Sequence, residues 1–185
     1  MQPLLSIENL SVDFVTDQQT VSAVKNISLQ VNRGEILAIV GESGSGKSVT
    51  SLSILQLLPK PPARYSGGKI IFQEERSSGI DLLQASANQV RQLRGSKIAM
   101  IFQEPMTSLN PVISCGRQVM EALLTHRKIS NSEAKKITIQ WFEKVKLPGP
   151  EKIFSRYPHE LSGGQKQRVM IAMAMCCQPS LLICD

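Results

Sequence analysis

Eight consecutive residues, Gly41-Glu42-Ser43-Gly44-Ser45-Gly46-Lys47-Ser48, have the types and spacing that most directly imply chemistry. They fit the pattern G-x-x-x-x-G-K-[ST]. In that pattern glycines let the backbone wrap closely and turn its N–H groups toward phosphate oxygens, and the following helix adds its positive end to the same point. The lysine brings a mobile ammonium to the β and γ phosphates, and the hydroxyl meets Mg²⁺. A second cluster is Leu161-Ser162-Gly163-Gly164-Gln165, flanked by Tyr157-Pro158-His159-Glu160 and Lys166-Gln167-Arg168. It puts a small hydroxyl and two glycines at the start of a predicted helix, where Gly-Gly costs stability and points to close approach of another group to the backbone. At the end, Leu181-Leu182-Ile183-Cys184 delivers a carboxylate, Asp185, from an apolar run.

The elements that must position these groups read as alternating sheet and helix. Short β-like runs from Leu5 to Ile7, Val12 to Val15, Val21 to Lys25 and Ile27 to Val31 predict an antiparallel layer with one wet face. After a turn at Asn32-Arg33-Gly34, the apolar run Glu35 to Val40 predicts a strand covered on both faces of a parallel sheet. A helix from Lys47 to Leu58 follows, stopped by Pro59-Lys60-Pro61-Pro62. Ser66-Gly67-Gly68 predicts a turn into a strand from Lys69 to Gln73, Glu74 to Gly79 an exposed loop, and Ile98 to Phe102 a second buried strand.

Between Cys115 and Tyr157 the pattern is helical. Ser130-Asn131-Ser132-Glu133 predicts a capping box, and Ala134, Ile137, Trp141, Phe142 and Val145 recur at helical spacing until Leu147-Pro148-Gly149-Pro150. Trp141 is the expected anchor of this region, and His126 and His159 are expected on its surface. An apolar helix then runs to Cys177, Pro179 breaks it, and the final strand follows. Met100, Met106, Met170, Met173 and Met175 read as packing.

Composition bounds the function. With 185 residues and 42% hydrophobic content, the chain can bury one sizeable core and a small satellite, which excludes global disorder. Lys and Arg exceed Asp and Glu by 21 to 15, and the +6 charge is scattered and forms no basic stripe of the kind nucleic acid requires. The longest apolar stretch, Val169 to Cys177, is about half the roughly 20 residues of a bilayer-spanning helix. The first eight residues carry no basic n-region and reach Glu8 before an apolar core, so no export signal is expected. Cys115, Cys176, Cys177 and Cys184 lack C-x-x-C or zinc-site spacing and read as reduced, buried small hydrophobes.

Taken in chain order, these motifs resemble those of the ABC-type (ATP-binding cassette) ATPases, over the whole chain. Ser162, Gly163, Gly164 and Gln165 resemble the family's signature, which contacts ATP held by a second, identical or different, cassette in a head-to-tail dimer. Gln103 resembles the Q-loop glutamine that senses Mg²⁺ and the γ-phosphate, and Asp185 the Walker B aspartate that holds the metal through water. Phe14 matches the aromatic that stacks on adenine, with an ordinary strand-core Phe as the alternative. The resemblance implies ATP and Mg as cofactors. It implies Lys47, Gln103 and Asp185 as catalytic residues, Gly41, Glu42, Ser43, Gly44, Ser45, Gly46, Lys47, Ser48 and Phe14 as the ATP site, and Ser48, Gln103 and Asp185 around the metal.

The implied fold is an α/β P-loop NTPase core with a mostly parallel sheet, an N-terminal antiparallel β layer and an inserted helical subdomain. Residues 1–112 and 163–185 would form the layer and core, and 113–162 the helical subdomain, within one cassette spanning 1–185. The glutamate that the family carries after Asp185 as general base, the D-loop and the switch histidine are not in this sequence. The expectation is therefore a C-terminally truncated cassette that binds ATP but turns over little alone, with exposed apolar sheet surface.

More narrowly, the eight-residue glycine loop, Phe102-Gln103-Glu104-Pro105-Met106-Thr107-Ser108-Leu109-Asn110-Pro111 and Tyr157-Pro158-His159-Glu160 resemble the bacterial dipeptide, oligopeptide and nickel importer branch. That implies a peripheral subunit at the cytoplasmic face of the membrane, working with permease subunits and, through them, an extracytoplasmic substrate-binding protein. Glu104 to Asn110 would help receive a helix of the membrane subunit. Two alternatives are a soluble ABC ATPase of DNA repair or translation and a non-hydrolysing nucleotide-responsive module. The first predicts basic patches or coiled-coil heptads between Glu104 and Leu161, and neither occurs, so no nucleic-acid partner is expected.

Overall fold

In the computed structural model, which describes residues 2–75, 77–102 and 108–185, the four N-terminal runs merge into two long strands. These are β1 (Leu5–Val15) and β2 (Thr20–Val31), paired antiparallel. The apparent breaks between runs are bulges: Asn9 and Asn26 take left-handed backbones, with φ of 51° and 50°. Neighbouring hydroxyls repair the ladder there. Ser28 Oγ accepts from Asn9 N–H at 2.9 Å, and Ser11 Oγ accepts from Asn26 N–H at 3.0 Å. β3 (Ala63–Phe72) pairs with the other edge of β1, and β4 (Ile80–Asp81) completes the order β2-β1-β3-β4.

The expected turn at Ser66-Gly67-Gly68 is instead the interior of β3. A Cβ on Gly68 would lie 2.6 Å from backbone atoms of Glu8 and Asn9, so the glycine, at φ 94°, lets β3 pass the bulge of β1. Leu5, Ile7, Leu10, Val12, Ile70 and Phe72 form a fully buried set on this sheet. α1 (Lys47–Ile54) ends a turn earlier than its apolar pattern predicts. Gln56 turns left-handed (φ 49°), Leu57 N–H donates to Leu52 O at 2.9 Å and Gln56 N–H to Ser53 O at 3.0 Å. This Schellman closure stops the helix before the prolines are reached.

The run 35–40 departs most from expectation. It forms no strand, and Ile36 and Val40 are 97% and 92% exposed. Such a run needs ladder partners and a layer on each face to be buried, and no strand among the described residues pairs with it.

The chain divides into two compact units, Met1–Arg91 and Gln92–Asp185. An unforeseen helix, α2 (Ala87–Leu93), spans the division. The second unit holds the expected parallel pair, β5 (Ile98–Ile101) with β6 (Leu181–Cys184), in register Ile98 to Leu181. Among the described residues, four α-helices share its core: α3 (Cys115–His126), α4 (Asn131–Lys144), α5 (Pro150–Ser155) and α6 (Gly163–Met175). In α4 the buried stripe is Ala134, Thr138 and Phe142, and Ser130 Oγ accepts from Glu133 N–H at 3.2 Å as the N-cap. The fully buried anchor is Phe142; Trp141 is half-buried with Lys144 Nζ over its ring at 4.5 Å. Gly116 lets α3 approach α5, since a Cβ there would meet the Phe154 ring at 2.2 Å. Cys115, Cys176 and Cys177 are buried as expected, Cys184 is exposed, and all four are free thiols.

Candidate nucleotide-binding site

The glycine loop lies in the first unit and leads directly into α1. Ser45 N–H donates to Glu42 O at 3.2 Å, and Gly44 and Gly46 take φ of 81° and 91°. Gly46 caps α1 without a side chain. A Cβ there would sit 2.6 Å from Ala23 O and 3.2 Å from Val24 Cγ2, so the loop is pressed onto β2. No acidic residue stands in the first turn of α1, so no carboxylate of that turn offsets the helix's positive end. Thr50 secures that turn, its N–H and Oγ1 both donating to Gly46 O at 2.9 Å.

Lys47 Nζ donates to Gly41 O and Glu42 O, each at 2.7 Å, and to Ser45 Oγ at 3.3 Å. The ammonium is thus gathered inside the loop by weak neutral acceptors, which phosphate oxygens would replace with stronger charged ones. Ser48 follows on the exposed side. Glycine positions that exclude a Cβ, a helix start without acid and a central ammonium together fit a polyphosphate with its cation.

Phe14 belongs to the same unit. It is half-buried on β1, opposite Val21 and Ala63. Val21, its partner on β2, is 49% exposed, and Ala23, whose carbonyl a Cβ on Gly46 would meet, lies two residues further along β2. The Phe14–Val21 pair is thus a partly exposed apolar spot of the kind on which a flat aromatic base can lie.

In the second unit, Ser162 is the N-cap of α6. Its Oγ accepts from Gln165 N–H at 3.3 Å, and Gln165 Oε1 accepts from Ser162 N–H at 3.0 Å, a reciprocal capping box. Gly163 and Gly164 are exposed, with nothing within 4 Å of an ideal Cβ. No contact shown in the chain itself demands these glycines. Asp185 N–H extends the β5–β6 ladder by donating to Ile101 O at 3.0 Å. Gln103 lies outside the described residues, as do Glu104 and Met106.

Three polar residues near these motifs were given no role by pattern. Arg168 Nη1 donates to Val145 O at 3.0 Å and Lys146 O at 2.6 Å, tying α6 to the end of α4. Arg127 Nη2 donates to Cys177 O at 3.1 Å. Gln118 directs its whole amide at the backbone ahead of α3. All three reach partners distant in sequence or in a loop, where no periodicity signals them. Just before the cap, Tyr157 N–H donates to Glu160 Oε2 at 2.7 Å, and the Tyr157 and His159 rings stack at 5.7 Å.

Comparison with known proteins agrees with this arrangement. The family model described as ABC transporter matches residues 24–185. The chain is 48% identical over 182 residues to the glutathione import ATP-binding protein GsiA of Escherichia coli (strain K12) and of Shigella sonnei (strain Ss046). The match covers 98% of this chain but 29% of those relatives, so the chain spans under a third of their length. Among solved structures, the ATP-binding cassette MJ0796, a dimer in a post-hydrolysis state bound to ADP and Pi, superposes with TM-score 0.83 at 26% identity, covering 98% of this chain and 73% of that one. The cbiO1 protein from Clostridium perfringens, part of the ABC transporter complex cbiONQ, superposes with TM-score 0.73 at 28% identity, covering 100% of this chain and 66% of that one. With the phosphate-loop geometry, the family match and the shared fold in agreement, the chain belongs to the ABC transporter family and has the fold of its ATP-binding cassettes.

Proposed function

We propose that this chain is the nucleotide-binding part of an ATPase that energises a membrane importer, with MgATP bound at Gly41, Glu42, Ser43, Gly44, Ser45, Gly46, Lys47 and Ser48. The observation that carries the proposal is the Lys47 ammonium held inside a glycine loop at a helix start that bears no acid. In the bound state Lys47 exchanges the Gly41 and Glu42 carbonyls for phosphate oxygens, Ser48 presents its hydroxyl to the metal, and Phe14 with Val21 lies under the base. Mg²⁺, when bound, supplies charge neutralisation across the β and γ phosphates. Gln103 and Asp185 complete the metal side, and Ser162, Gly163, Gly164 and Gln165 meet nucleotide held by a partner cassette.

The exposed signature glycines support the last assignment, because a helix start with open space around it is accessible to a second chain. We assign 1–112 and 163–185 to the β layer and core and 113–162 to the helical subdomain. Among the described residues no helix is long and apolar enough to cross a membrane, which fits a peripheral subunit recruited to permease subunits on the cytoplasmic face. The GsiA relatives favour a peptide-like cargo such as glutathione over nickel.

Mg-ATP binding and turnover, measured together on this chain and on a version extended past Asp185, test the proposal. Binding by the wild type, its loss in Lys47→Ala, and turnover concentrated in the extended version are the expected results. Binding that survives Lys47→Ala would remove the loop from the site.

A further inference from the structure

Two adjacent thiols, Cys176 and Cys177, stand where α6 ends, and the nucleotide proposal uses neither. Cys176 is the C-cap of α6, still helical at φ −62° and ψ −29°. Gln178 then turns left-handed (φ 56°), with its N–H donating to Met175 O at 2.9 Å. The chain therefore closes on itself at once, and both cysteines stay in the buried helical core, at 0% and 9% exposure.

The two sulfurs face each other at 4.0 Å. Cys176 Sγ–H reaches the Cys177 sulfur at that distance and the Met173 carbonyl at 3.2 Å, while Cys177 Sγ–H reaches the Ala122 carbonyl on α3 at 3.7 Å. Arg127, the residue after α3, donates from Nη2 to Cys177 O at 3.1 Å and so brings a positive charge beside the pair. The Cys176 S–H and then that charge hold the Cys177 thiol below its ordinary range, against the opposing effect of burial. Packing two small apolar side chains requires neither facing sulfurs nor a neighbouring guanidinium.

Two metal–sulfur bonds of about 2.3 Å span the observed gap at an S–metal–S angle of about 120°, so one ion fits between the sulfurs with little movement. Among the described residues no group of three His, Cys, Asp or Glu side chains is placed to hold a metal. Zinc, which takes four such ligands, is therefore poorly served, whereas thiolates alone suit soft Cu(I).

We propose that Cys176 and Cys177 form a two-thiolate site for a soft cation of low coordination number, of the Cu(I) class, between the end of α6 and α3. Binding is ligand exchange without electron transfer: one Cu(I) replaces both thiol protons, which leave to solvent, and two sulfur–copper bonds form. The bound unit carries one negative charge, and Arg127 offsets it where an unpaired charge would be costly to bury.

The test titrates the intact protein, reduced and free of oxygen, with Cu(I) against a chromophoric Cu(I) chelator, in a Cys184→Ser background that removes the exposed thiol. One Cu(I) per chain is expected, with sulfur ligation in copper-edge X-ray absorption and no displacement by equal zinc. Cys176→Ala and Cys177→Ser are each expected to weaken binding by at least about tenfold. Binding unchanged in both variants, or abolished by Cys184→Ser alone, overturns the proposal. Where neither variant folds, the Cys184→Ser protein decides: sub-stoichiometric copper, or copper ligated by nitrogen or oxygen, overturns it as well.

Discussion

Gly46 and Gly163 are the same residue type under opposite constraints. Gly46 sits at φ 91° with Ala23 O 2.6 Å from any Cβ, so Gly46→Ala combines a left-handed backbone with a backbone clash. The expected cost is about 1–3 kcal/mol, read as a lower melting temperature together with loss of nucleotide binding. Gly163 has a free surround, and Gly163→Ala should raise helix stability by about 0.4–1 kcal/mol. If the signature serves a partner cassette, the same variant loses turnover in the assembled protein while melting higher. A thiol makes a third residue-scale case. Burial pushes Cys115 up from 9.0 to about 11. A raised pKa means its contribution to stability is intact below pH 9 and is lost as pH rises toward 11. Denaturant unfolding of wild type and Cys115→Ala should therefore converge between those pH values. By contrast, the S–H donated by Cys176 and then the nearby Arg127 charge pull Cys177 below the ordinary thiol range, against the opposing effect of burial.

At the level of elements, helices stop where the backbone closes on itself. α4 ends as α1 does: Lys146 turns left-handed (φ 60°), Leu147 N–H reaches Phe142 O and Lys146 N–H reaches Glu143 O, both at 2.9 Å. Composition points instead to the proline-glycine stretch that follows, because non-glycine residues in the left-handed region carry no sequence flag. Arg168 then adds charged donors to Val145 and Lys146 carbonyls just past that end. Arg168→Ala should cost about 1 kcal/mol in chemical denaturation, the worth of exposed side-chain-to-backbone bonds. Phe142→Ala, which empties the centre of the helical core, should cost about 3–5 kcal/mol. The helical periodicity of 134–145 was legible from its apolar spacing, yet it put Trp141 ahead of Phe142. A stripe shows which face turns inward, but depth on that face depends on what packs opposite.

For the molecule as a whole, the exposed run 35–40 has the largest solution consequence. Ile36 and Val40, at 97% and 92% exposure, with Leu37 and Ile39 between them, form an apolar segment without ladder partners among the described residues. Such a segment templates association. The 185-residue chain is expected to self-associate in sedimentation velocity, and Ile36→Lys with Val40→Lys to shift it toward monomer without altering its circular dichroism.

The amino-acid sequence by itself determined the glycine loop leading into α1, the capped helix start at Ser162, the parallel β5–β6 pair and the helical character of 115–157. Each is set by local spacing, backbone permission at glycine or hydrophobic period, which need only neighbouring residues to be read. Only tertiary structure decided that the four N-terminal runs are two bulged strands, that Ser66-Gly67-Gly68 is strand interior, that 35–40 has no ladder partner among the described residues and that Gln118 holds the backbone at Asn110. These depend on which distant strand supplies a ladder, a hydroxyl or a buried amide to a given backbone group, and that pairing is a property of the folded chain, invisible to any window along the sequence.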